Sequence, residues 1–213
     1  DNNDLSNSNV YLDREDDRPL IADWNGNIKV GDPIYMHDAN FALTPPEAIL
    51  EHIDDELVQV TLTGAVDIWS IGYWFADAIF HPCRWHNHRD FRPEGSKRDD
   101  MQWRHDFIRE TLLAVGGNTT IPINLDGREV DLATIVGLDG EEVAKRPFTP
   151  PLLLIFGHKK KCTLEKRFPV LDSHDKQVKE IAIDFLRNMM KIDPRERKNC
   201  TQLLQHPFLR HEF

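Results

Sequence analysis

The run Val66 to Phe80, Val-Asp-Ile-Trp-Ser-Ile-Gly-Tyr-Trp-Phe-Ala-Asp-Ala-Ile-Phe, constrains this chain more than any other part of it. Only Asp67, Ser70 and Asp77 carry strongly polar side chains, so a helix over these residues is apolar on nearly every face. Such a helix belongs at the centre of a domain. No apolar run approaches the roughly 20 residues needed to span a bilayer. The rest of the chain must therefore wrap this segment, and 213 residues suffice for one full-sized core, since a chain of this length buries roughly 70% of its unfolded surface.

Two further stretches have helical spacing. Met101 to Val115 repeats apolar residues at Trp103, Phe107, Ile108, Leu112 and Val115, and reads as one helix between long loops. Ser173 to Ile192 sets Val178, Ile181, Ala182, Phe185, Leu186, Met189 and Met190 on one stripe, with Asp193-Pro194 as its stop. Asn199 followed by Gln202 has the spacing of a capping box, opening a final helix that His206-Pro207 is expected to end. Residues 1 to 50 differ: Val10-Tyr11-Leu12 and Pro19-Leu20-Ile21-Ala22 flank the charged turn Asp13 to Arg18, which predicts a β hairpin. The predicted fold is mainly α with a small β hairpin.

The formal charge of −10 disfavours a general binder of nucleic acid or anionic membrane, which needs a basic field, and no direct nucleic-acid or membrane partner is expected. Three cysteines, Cys83, Cys162 and Cys200, are odd in number and widely spaced. They point to a reducing compartment rather than a disulfide framework. With no secretory signal visible near Asp1, the expected location is intracellular, cytoplasmic or nuclear.

Polar groups suited to chemistry cluster early. If the two β runs pair, Asn9 just before one and Asp23 just after the other emerge at the same end. Two oxygen ligands so placed suit Mg²⁺, which often takes one or two protein ligands alongside substrate phosphates. Asp4 is then placed to orient a hydroxyl nucleophile. Asp and Asn are also ordinary turn residues, so this pattern alone is weak.

The order of motifs along the chain adds weight. Asn3-Asp4-Leu5-Ser6-Asn7-Ser8-Asn9 before an apolar strand resembles the catalytic loop of eukaryotic protein kinases. Asp23-Trp24-Asn25 stands where that family has Asp-Phe-Gly, and Pro45-Pro46-Glu47 where it has Ala-Pro-Glu. Val66 to Gly72 resembles the start of its buried central helix, and Asp193-Pro194-Arg195-Glu196-Arg197 and His206-Pro207-Phe208 resemble its closing motifs. The resemblance spans residues 2 to 209 and implies a protein-kinase-like fold represented by its C-terminal lobe. It divides the chain into catalytic loop and metal-binding hairpin (1–25), activation segment (26–47), central helix (66–80), variable insert (81–172) and C-terminal helices (173–213).

The resemblance also implies roles. Asp4 would be the catalytic base; Asn9 and Asp23 would bind ATP through Mg²⁺ and hold that ion; the reaction would be phosphoryl transfer from ATP to Ser or Thr of a protein substrate. Glu47 would pair with Arg197 in a buried bridge, and Asp67 would accept backbone N–H groups of the catalytic loop. These last three are architectural. Ile21-Ala22-Asp23 and Gly31-Asp32, with the long middle segment, resemble the serine/arginine-rich-protein kinase branch, and the acidic charge would suit a basic substrate.

Departures from the family pattern favour an alternative, a pseudokinase or interaction module. The family's His-Arg is Asn2-Asn3 here, which removes the arginine that would bind an activation-loop phosphate. The Lys usually found two residues after the catalytic Asp is Ser6, which removes an electrostatic stabiliser of the transferred group. Trp24 keeps the apolar anchor, and Asn25 tolerates the backbone of a glycine. No Gly-x-Gly-x-x-Gly occurs. The expectation is a lobe that needs a nucleotide-covering partner or N-lobe, with no turnover by the chain alone. Lastly, His81, Cys83, His86 and His88 are potential zinc ligands, but so tight a run reads better as a surface loop.

Overall fold

The computed structural model describes residues 10–16, 18–22, 44–50, 63–80, 100–122, 128–149 and 176–210. Among these the protein is mainly helical, with two small antiparallel hairpins. The first pairs β1 (Val10–Leu12) with β2 (Pro19–Ile21), Val10 facing Ile21 and Leu12 facing Pro19. Its turn is shaped by side chains: Asp13 Oδ1 accepts the Glu15 N–H at 2.9 Å and Asp16 Oδ1 the Arg18 N–H at 3.0 Å. These are the local bonds that make Asp a turn residue.

A short helix α1 (Pro46–Leu50) precedes α2 (Ala65–Phe80), and α3 (Asp100–Val115) follows. In α2 the side chains of Val66, Ile68, Trp69, Tyr73 and Ala76 are buried, while Asp67, Ile71, Trp74 and Phe75 are half-buried. The central position expected of this segment is thus observed, with a half-exposed flank. Against it lies α6 (Lys176–Met189), whose Ala182, Phe185, Leu186 and Met189 form the buried stripe predicted by spacing. Gly72 lets the two helices approach closely. A Cβ built there would stand 2.9 Å from Met190 Cγ and 3.0 Å from Met189 Cβ.

The α6 helix ends at Met189 rather than at Ile192, as the spacing had implied. The difference has a use: Lys191 and Ile192 leave the helical path and turn their carbonyls to the Arg197 guanidinium. A 3₁₀ turn, Pro194–Glu196, follows with Asp193 as its cap. The capping box at Asn199 and Gln202 is complete, each side chain accepting the other residue's N–H, at 2.9 and 3.0 Å. The helix it opens, α7 (Cys200–Leu203), is short. Contrary to expectation, His206-Pro207 does not end the last helix: Pro207 begins α8 (Pro207–Arg210), the position where a missing N–H costs nothing.

The middle segment is richer than one helix between loops. A second hairpin, β3 (Thr120–Pro122) with β4 (Glu129–Asp131), leads into α4 (Leu132–Ile135) and α5 (Gly140–Ala144). Asp131 and Asp139 cap these helices by accepting from Ala133 N–H, and from Glu141 and Glu142 N–H. Asp131 also accepts from Thr119 Oγ1 at 2.6 Å and Thr134 Oγ1 at 2.8 Å. No helix among the described residues is long and apolar enough to cross a membrane.

Two outcomes follow from this packing. Gly72→Val places methyl groups where Met189 and Met190 already sit, and should lower the stability read by urea unfolding by about 1–3 kcal/mol. Burial would raise the Asp131 carboxyl, but the hydrogen bonds from Thr119, Thr134 and Ala133 outweigh it and hold the group below the ordinary Asp value. A depressed carboxylate stabilises the fold above about pH 4 and loses that contribution as pH falls through its lowered value. Asp131→Asn should therefore lose less stability than the parent when urea midpoints are compared between pH 6 and pH 3.

Candidate functional site

The described site is built around Arg197. Pro46 opens α1, with the Ala48 and Ile49 N–H groups donating to the Pro45 carbonyl at 3.0 and 3.2 Å. This places Glu47 in the first turn, buried. The 3₁₀ turn is fixed by Asp193, which accepts the Arg195 N–H at 2.8 Å, and it delivers Arg197 into the interior in an extended conformation. The two residues are 150 positions apart and meet as a fork: Arg197 Nη1 to Glu47 Oε1 at 2.5 Å, Nη2 to Oε2 at 2.7 Å.

The remaining guanidinium donors are also engaged. Nε donates to the Lys191 carbonyl at 2.7 Å, Nη1 to the Ala65 carbonyl at 3.0 Å, and Nη2 to the Ile192 carbonyl at 3.1 Å. A guanidinium has five N–H donors, and this set uses each of them. The cation also lies 4.9 Å from the centroid of the buried Trp69 ring, on the attractive face of the π system. Such a group is saturated. Every donor is taken and a guanidinium has no acceptor to offer a substrate, so its role is to hold α1, the start of α2 and the segment after α6 together.

Arg195, two residues earlier, turns the other way. Its Nε and Nη2 donate to Asp193 at 2.8–3.0 Å, and its Nη1 donates to Glu129 Oε1 of β4 at 2.6 Å. The hydrogen bonds to Asp193 first, and to Glu129 second, raise the guanidinium further above its already high range. Asn118 adds a contact of 3.4 Å to Asp193 Oδ2. Sequence reasoning did not find this clamp. The available signal was the burial expected of the Asp capping a Pro turn.

Of the residues singled out from sequence, Glu47 and Arg197 are thus in direct contact. Asp67 stands half-buried in the first turn of α2. Asp4, Asn9 and Asp23 lie outside the described residues, as do the catalytic-loop amides assigned to Asp67 and the segment His81 to His88. What is described next to them is the β1–β2 ladder, in which Val10, adjacent to Asn9, faces Ile21, two residues before Asp23. Among the described residues no group of three or more His, Cys, Asp or Glu could hold a metal ion. No family model matches the chain.

Removing one partner of a buried pair leaves an uncompensated charge, a loss of about 3–5 kcal/mol. Arg197→Ala and Glu47→Ala should each lower the unfolding free energy read by urea titration by that amount. The double variant should lose clearly less than the sum of the two, because each single change already breaks the same fork. Arg197→Lys should fall between, since an ammonium cannot present two parallel N–H groups to one carboxylate.

Proposed function

We propose that this chain is the C-terminal lobe of a protein kinase, serving phosphoryl transfer from ATP to Ser or Thr of a protein substrate. The observation that carries the reading is the Glu47–Arg197 fork. It joins the two segments, Pro45-Pro46-Glu47 and Asp193 to Arg197, whose resemblance to kinase motifs called for an ion pair. The buried position of α2 between them supports the same reading.

In this assignment the chemistry belongs to the segments flanking the first hairpin. Asp4 is the base that orients the substrate hydroxyl. Asn9 and Asp23 hold Mg²⁺, which neutralises charge on the ATP phosphates during transfer. The pairing of Val10 with Ile21 is the feature that would keep Asn9 near Asp23. Tyr11 and Leu20 on one side of the ladder, and Leu12 and Ile21 on the other, are exposed, which fits a hairpin that a second lobe or a partner would cover. A basic protein substrate suits the charge of −10.

The second reading is an interaction module of kinase shape without transferase activity. Ser6 and Asn3 favour it, since each replaces a cationic side chain of the active pattern. One experiment separates the two. In the complete gene product carrying this chain, Mg²⁺-dependent ATP binding and transfer of labelled phosphate to an arginine-rich Ser peptide are measured. Asp4→Ala should reduce transfer by about 10²–10⁴-fold, the contribution of a positioned base, without abolishing nucleotide binding. Asp23→Ala should weaken the Mg²⁺-dependent binding itself. A folded product that neither binds nucleotide nor transfers phosphate supports the interaction module and rejects the enzyme.

A further inference from the structure

We draw no further inference here: the strongest candidate, the apolar surface of Leu204 and Leu209, exposed at the end of α7 and on α8, carries nothing because nothing in the structure shows what covers it.

Discussion

Bringing a guanidinium and a carboxylate out of water costs several kcal/mol per ion, and attraction between them offsets this only when the remaining donors and acceptors are also matched. Arg197 meets that condition. Both oxygens of Glu47 and the carbonyls of Ala65, Lys191 and Ile192 accept from it, and the Trp69 ring covers one face. The pair is therefore a positional constraint more than a source of net stability. A Glu47 displaced by an ångström would leave a buried cation short of acceptors, so the α1 segment has one acceptable place. That precision is what a buried ion pair offers over an apolar contact, which tolerates sliding.

The carbonyls that receive Arg197 are placed by helix packing. Lys191 and Ile192 follow directly on Met189 and Met190, the residues that crowd Gly72. The close approach of α2 and α6 thus sets where α6 stops, and where it stops sets the acceptors for the guanidinium. Trp69, one turn before Gly72 on α2, belongs to the same contact and is among the largest fully buried side chains. Apolar packing and the ionic fork are coupled through the same few residues. The helix crossing is thus linked to Glu47 through Lys191, Ile192 and Arg197.

The parts legible in the sequence were those where one physical rule acts alone. The stripe from Ala182 to Met189 follows helical period, and the box at Asn199 and Gln202 follows from side-chain reach. The pairing of Glu47 with Arg197 was reached through motif resemblance, because no periodicity links residues 150 positions apart. Hairpin β3–β4 escaped notice for a different reason. Its strands, Thr-Ile-Pro and Glu-Val-Asp, each hold a single aliphatic residue in place of the short apolar runs that mark the first hairpin, and their ends are fixed by Asn118, Thr119 and Asp131 side chains. The same holds at His206-Pro207, where a proline that usually stops a helix instead starts one, because the histidine before it supplies the cap.

Arg195 shows why exposure of one partner is a poor guide to the importance of a pair. Its side chain is 51% exposed, and an ion pair so wet is ordinarily worth little. Asp193, however, is 3% exposed, and its carboxylate carries the turn that aims Arg197 inward. With Arg195 removed, a buried carboxylate would keep, among the described residues, its backbone bond and a long contact from Asn118. The surface arginine therefore stabilises an interior charge, and through Glu129 it fastens hairpin β3–β4 to the same turn. Within five residues the chain holds α1 on one side with Arg197 and the middle segment on the other with Arg195, so the two regions share a single anchor whose geometry is set by Asp193.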